Sequence, residues 1–208
     1  MRFTLALAVV ALSTVAFAQN AVAPSDKFQV KYAANLNIGD SFVDITNTGA
    51  TTSLNLANPP VSLNLCANLY TFDPAEELIS CCTCTITPNG LQSLSVLKSL
   101  ISNPLTPAIP TSVVIKIVAS SGSTCNAATV TGDNLANGLL AWGTTLHQNT
   151  STTAASYSVT ETPFSQAYLS SAELTHITTT CGFIQSNGSG FGICKGCSAG
   201  GLGASTSN

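Results

Sequence analysis

The chain has 208 residues; only 7% are charged, 45% are hydrophobic, and the formal net charge is −3. Setting aside Arg2, five Lys stand against nine acids, a balance of −4 that excludes binding to nucleic acid or an anionic membrane through a basic patch. The hydrophobic content excludes disorder, and the length suits one domain, or two small ones, able to bury a core.

The first residues have the form of an export signal. Arg2 gives a positive start, Leu5 to Val15 is an apolar run broken only by Ser13 and Thr14, and Ala16-Phe17-Ala18 is a small-x-small site. Residues 1–18 therefore read as a signal peptide cleaved between Ala18 and Gln19. The run is too short to cross a bilayer of ~30 Å as a helix, and no later run reaches the ~18 apolar residues of a membrane span. The expected location is secreted, periplasmic or extracellular.

From Lys27 to Thr160 the patterning is mostly β. Phe28, Val30 and Tyr32 alternate with polar neighbours, Phe42-Val43 leads into Ile45, and Asn47-Thr48-Gly49 reads as a turn. Ser53 to Leu56 alternates weakly. Leu63 to Tyr70 is apolar on one face and partly so on the other, as in a central strand. Thr83–Thr87 and Leu91–Val96 flank Pro88-Asn89-Gly90, which reads as a hairpin turn. Leu91, Leu94, Leu97 and Ile101 are also spaced for a helix; a strand ending in a turn fits better ahead of Asn103-Pro104. Val113 to Val118, rich in β-branched residues, is the clearest strand. Gly132 to Leu146 reads as a short helix or an irregular loop carrying Trp142, expected in the core. Ser156 to Thr160 is a weaker strand.

After Pro163 the period changes. Ser170 and Glu173 form a capping box, and Leu174, Ile177, Cys181 and Ile184 share one helical face. A helix is expected over Ser171–Gln185, ended by Asn187-Gly188. The expected architecture is mainly β: an antiparallel β-sandwich, Ig-like in general shape, with one C-terminal helix and a disulfide-tethered Gly-rich tail. Its parts are 19–165 for the sandwich, 166–197 for the helix and the Cys/Gly-rich segment packed on it, and 198–208 for a loose tail.

Eight cysteines follow the leader: Cys66, Cys81, Cys82, Cys84, Cys125, Cys181, Cys194 and Cys197. An even count in an exported chain points to disulfides. Eight cysteines allow 105 pairings, and spacing does not choose among them. A bridge between the neighbours Cys81 and Cys82 would be strained, so each should pair elsewhere. At least one bridge should join the sandwich to the helix and the Gly-rich tail. The competing reading takes Cys81-x-x-Cys84 and Cys194-x-x-Cys197 as four zinc ligands or as redox pairs. For zinc, the two pairs lie far further apart than in a zinc ribbon; for redox chemistry, Cys194 sits in a Gly-rich tail rather than at a helix start.

Three stretches carry a resemblance: Phe42 to Gly49; Leu65 to Asp73 with Glu76-Glu77 and Cys81-Cys82-Thr83-Cys84; and Cys181-Gly182-Phe183-Ile184 with Asn187 to Cys194. Together they resemble a group of uncharacterised exported cysteine-containing proteins of soil bacteria, notably acidobacteria. The resemblance implies a bacterial exported protein and carries over no catalytic residue.

The inventory for catalysis is thin. The two histidines, His147 and His176, are expected at the surface, and Ser189 lacks a Gly-x-Ser-x-Gly elbow. No HExxH occurs. Asp73, Glu76 and Glu77 form an acidic cluster that suits a solvated turn better than calcium or a carboxylate pair. Gly188, Gly190 and Gly192 do not follow a strand as a dinucleotide loop requires; they suit a tight loop that brings Cys194 to its partner. Asn149-Thr150-Ser151 and Asn187-Gly188-Ser189 match the glycosylation acceptor, which carries little meaning in a bacterium. No catalytic residue, metal or cofactor is therefore expected. The leading expectation is a non-catalytic extracellular binding or surface-structural protein, with self-association or a cell-surface partner possible. A thiol–disulfide or metal protein, and a hydrolase built on Asp73 and Glu77, are the alternatives.

Overall fold

The computed structural model describes residues 22–49, 64–122, 124–150 and 154–197. The leader, the weak strand at Ser53–Leu56 and the 198–208 tail lie outside the described residues. Nine strands occur among them: β1 (Val22–Ala33), β2 (Phe42–Asn47), β3 (Leu65–Phe72), β4 (Leu78–Ile86), β5 (Leu91–Ser95), β6 (Val113–Ser121), β7 (Leu139–Asn149), β8 (Ser156–Pro163) and β9 (Ser165–Leu169). One helix, α1 (Ser171–Ser186), follows. The strands form two antiparallel sheets, ordered β4-β3-β6-β1-β9 and β5-β2-β7-β8. No helix among the described residues is long and apolar enough to cross a membrane.

Period-2 alternation assigns the faces. From the five-stranded sheet, Leu65, Ala67, Leu69, Val113, Ile115, Ile117 and Ala119 point inward. They meet Val43, Ile45, Leu94, Leu139 and Ala141 of the four-stranded sheet in one buried cluster. Fully burying each Leu, Ile or Val is worth about 1.5–3 kcal/mol, so this shared core dominates the cohesion of the two sheets. β3 lies between β4 and β6 and is buried along its whole length, which explains its two apolar faces.

The second face of the five-stranded sheet is covered too. Phe28, Tyr70, Phe72, Leu78 and Val118 pack against Leu174, Ile177, Cys181 and Ile184 of α1. The stripe expected from the sequence is the stripe that is buried, with Thr178 added. Ser170 caps the helix by accepting from the Glu173 N–H at 3.1 Å.

Two local expectations need correction, and a third, the strand ending in a turn, is met. Residues 132–146 are not a helix or a loop throughout: a 3-10 turn (Gly132–Asn134) leads into β7. Its inward residues Leu139, Ala141 and Gly143 shrink along the strand, which blurs the alternation. Pro88-Asn89-Gly90 does form a turn, with Gly90 N–H donating to Thr87 at 2.7 Å, but it is no hairpin. β4 and β5 belong to different sheets, so the turn is a corner between layers. Residues 91–101 divide into β5 and a π-helical turn at Val96–Leu100, so both spacings were real.

A buried amide ties the sheets together at their ends. Gln29 points inward from β1, and its Nε2 donates to Leu139 O at 2.8 Å and to Asp26 O at 2.9 Å. Gln29→Ala leaves both carbonyls short of a donor in a dry interior, which costs about 1–3 kcal/mol. The expected outcome is a lower denaturation midpoint with an unchanged slope in urea.

All eight cysteines are bonded: Cys66–Cys125, Cys81–Cys181, Cys82–Cys194 and Cys84–Cys197, with Cα–Cα distances of 5.4, 5.9, 5.4 and 4.7 Å. Alternation explains how adjacent cysteines serve different partners. Cys81 points outward with Tyr70 and reaches α1, whereas Cys82 and Cys84 point inward with Leu69 and Ala67 and reach the tail. The tail also lies along the free edge of β4: Cys81 N–H donates to Gly192 O at 2.8 Å and Ile193 bridges Cys81 in parallel. Gly188, Gly190 and Gly192 all have positive φ, at 68°, 76° and 75°. At Gly192 the approach is also close, since a Cβ there would fall 2.8 Å from Ile184 Cγ2.

Candidate binding face

The two sheets differ on their outer sides. α1 covers the five-stranded sheet, but among the described residues no helix packs on the four-stranded one. Its inward set is Val43, Ile45, Leu94, Leu139 and Ala141. Alternation therefore turns Phe42, Asp44 and Thr46 of β2, Leu140, Trp142, Thr144 and Leu146 of β7, and Tyr157, Val159 and Glu161 of β8 outward. Every one of them is partly or fully exposed.

Trp142 lies near the middle of this face. It is paired across the ladder with Asp44 on one side and Pro163 on the other, and these neighbours leave it half-buried. Phe42 and Leu91 lie exposed on the β2–β5 side, Tyr157 and Val159 on the β8 side. Thr144 holds its place by accepting from Phe42 N–H through Oγ1 at 2.8 Å. The only charges among these outward side chains are the carboxylates of Asp44 and Glu161. The face carries one indole, further apolar groups, hydroxyls and two carboxylate acceptors.

Trp142 was expected in the core, and the structure places it outside. The signal that could have found it lies in Leu139-Leu140-Ala141-Trp142-Gly143: once these residues are taken as a strand, the small residues claim the inside and the indole is left outward.

Of the residues singled out for chemistry, His147 stands apart, while Asp73, Glu76, Glu77 and His176 lie around two hollows. His147 is near the far end of β7, its Nε2 2.9 Å from Thr160 Oγ1. Asp73 closes its own turn: Oδ1 accepts from Ala75 and Glu77 N–H at 2.9 and 3.0 Å. Glu77 O in turn accepts from Asp73 N–H at 3.0 Å. Glu76, Glu77 and His176 line one hollow with Leu105, Thr106 and Thr180, and Asp73, Glu76 and His176 line another, of about 280 Å³, with Phe72, Val114, Lys116 and Glu173. There Lys116 Nζ pairs with Glu173 at 2.5 Å and lies 4.4 Å from the Phe72 ring centroid. The pairing of Lys116 with Glu173 has no local signal, because β6 and α1 are brought together only by the fold. The hollow holding Lys116 is lined by no Ser, Thr or Cys nucleophile.

Cys81, Cys84, Cys194 and Cys197 each lie in a disulfide, and none pairs within its own CxxC. In a strand, a spacing of three sends the two side chains to opposite faces, so Cys81 and Cys84 cannot converge. Among the described residues no cluster of His, Cys, Asp and Glu has the arrangement of a metal site. Compared with protein-family models, curated proteins and solved structures, the chain finds no significant match.

Proposed function

We propose that this is an exported, non-catalytic binding protein of the cell exterior. In this reading it is a β-sandwich of immunoglobulin-like general shape whose signal peptide is cleaved after Ala18. The helix, the Cys/Gly-rich segment and the sandwich act as one domain, stapled for an oxidising compartment. The observation that carries the binding role is the outer face around Trp142, which no helix among the described residues covers, set against the covered outer face of the other sheet. A large aromatic held partly exposed between ladder neighbours is a low-entropy anchor, the type that dominates binding energies.

The ligand class follows from charge and shape. Asp44 and Glu161 disfavour an anionic polymer, and their oxygens accept hydrogen bonds from hydroxyl groups. A sheet face with an indole, hydroxyls and carboxylates suits a neutral polysaccharide strand, whose ring faces are apolar and whose rims are hydroxyl-rich. The mature protein should adsorb to cellulose or chitin with a blue shift of its emission, which comes from the one Trp in the chain. Heparin should give no such change. Trp142→Ala should weaken adsorption roughly thirtyfold, as loss of a ~2 kcal/mol hot spot does. Equal adsorption by Trp142→Ala, or none by the wild type, would sink the proposal.

A further inference from the structure

We propose that two copies of this chain join through β8, edge to edge and antiparallel, into one eight-stranded sheet. The value of this pairing for ligand binding rests on the reading of the Trp142 face given above; the pairing itself does not.

The four sheet edges are not alike. β4 is overlaid by the disulfide-anchored tail at Cys81. β5 has five residues, runs into the π-helical turn, and has Gln92 donating to Gly196 O of the same tail at 3.3 Å. β9 is as short and is broken by two register shifts against β1. Among the described residues β8 has none of these protections. It runs eight residues in unbroken register with β7, and among the described residues no strand lies beyond it. It holds no Lys and no bulge, and its single Pro is at its very end. Natural edges are blunted by such devices, and an edge without them is a template for another strand.

β8 also has a reason to gain a third strand. β2 pairs with β7 only as far as Gly143. Beyond that point the loop leading into β2 and the start of β2 meet the other side of β7 at two points, Asn35 Nδ2 donating to Leu146 O at 2.9 Å and Phe42 N–H to Thr144 Oγ1 at 2.8 Å, and Thr144–Asn149 with its β8 partners is otherwise a two-stranded ladder. Such a ladder is marginal in water. Its β8 residues are exposed on both faces, with Val159 62% exposed.

Symmetry and charge choose the register. A twofold axis normal to the sheet requires one residue to face its own copy. Centring on Glu161 would oppose two carboxylates. Centring on Val159 instead opposes two β-branched side chains, which favours pairing. It also sets Tyr157 against Glu161 of the other copy, where the phenol can donate to the carboxylate. The two Glu161 are then four positions apart, roughly 13 Å along the strand and beyond the Debye length at physiological salt. Because the axis is normal to the sheet, both Trp142 faces end on the same side. The joined sheet offers an extended ligand two anchors in one plane, and the second contact is made at high effective concentration.

Light scattering during size-exclusion chromatography of the mature protein should give the mass of two copies. Val159→Lys, which opposes two ammonium groups at the axis, should give the mass of one, with four disulfides by intact mass and an unchanged circular dichroism spectrum. Tyr157→Lys meets Glu161 of the other copy, and its dimer should persist and tighten at low salt. A wild-type monomer at 100 µM, a dimeric Val159→Lys protein or a monomeric Tyr157→Lys protein would each overturn the pairing. A wild-type monomer that still adsorbs to cellulose removes the pairing and leaves the binding role. A dimer that does not adsorb removes the binding role and leaves the pairing.

Discussion

Removing all three bridges that leave β4, by replacing Cys81, Cys82 and Cys84 and their partners Cys181, Cys194 and Cys197 with Ala, is expected to cost more than the three single removals combined. Each bridge alone spans a long loop, with separations of 100, 112 and 113 residues. With one bridge intact, the others close short circuits. From Cys81 across to Cys181, along to Cys194 and back to Cys82 is a loop of roughly 15 residues, worth about 3 kcal/mol of chain entropy. The loop between the two tail bridges is roughly 7 residues, worth about 2 kcal/mol. Removing one bridge therefore costs about 2–3 kcal/mol, while removing all three also releases the long loop and costs about 10 kcal/mol. That is most of the stability of an ordinary domain. Guanidinium titrations followed by Trp142 emission on the three single-pair variants and the triple-pair variant would measure this. A triple loss equal to the sum of the single losses would show that the bridges do not share loops.

The same cysteines show what the sequence could and could not convey. That neighbours Cys81 and Cys82 pair elsewhere, and that a bridge reaches the late helix, followed from local covalent geometry and helical period. Three bridges in fact leave β4, one to α1 and two to the Gly-rich segment after it. The buried stripe Leu174, Ile177, Cys181 and Ile184 was legible for the same reason: a helix fixes its own faces. What stayed hidden depends on contacts between distant residues. Pro88-Asn89-Gly90 looks the same whether it joins paired strands or turns a corner. Asn47, far away on β2, helps hold the corner by donating through Nδ2 to Ile86 O at 3.0 Å. Trp142 was misplaced because the choice between core and outer face turns on which small residues fill the inside, and that is settled by Val43 and Ile45 across the ladder. The Lys116–Glu173 pair had no local signal at all.

A second large effect is expected at alkaline pH, centred on Tyr70. Its side chain is fully buried on the outer side of β3, and its hydroxyl donates to Ala127 O at 2.6 Å. It thereby fastens the 3-10 turn Ala127–Thr129 to the sheet. Burial pushes the phenol's pKa far above its ordinary value of 10.0. Above that value the unfolded chain releases the proton and the folded chain keeps it. The folded state then binds more protons, so stability falls as pH rises, by up to about 1.4 kcal/mol per pH unit. Lys31 acts in the opposite sense. Burial lowers its pKa below 10.5, so the folded state loses that proton first and stability gains slightly as pH approaches 10.5. The gain ceases above 10.5, where the unfolded lysine is neutral too, while the Tyr70 loss continues. Tyr70→Phe should cost about 1–3 kcal/mol near neutral pH, because it leaves Ala127 O without its donor. It should also abolish the extra decline above pH 10. Urea midpoints of both proteins from pH 8 to 11 make the comparison. Parallel curves would mean that Tyr70 is not the group whose ionisation unfolds the protein.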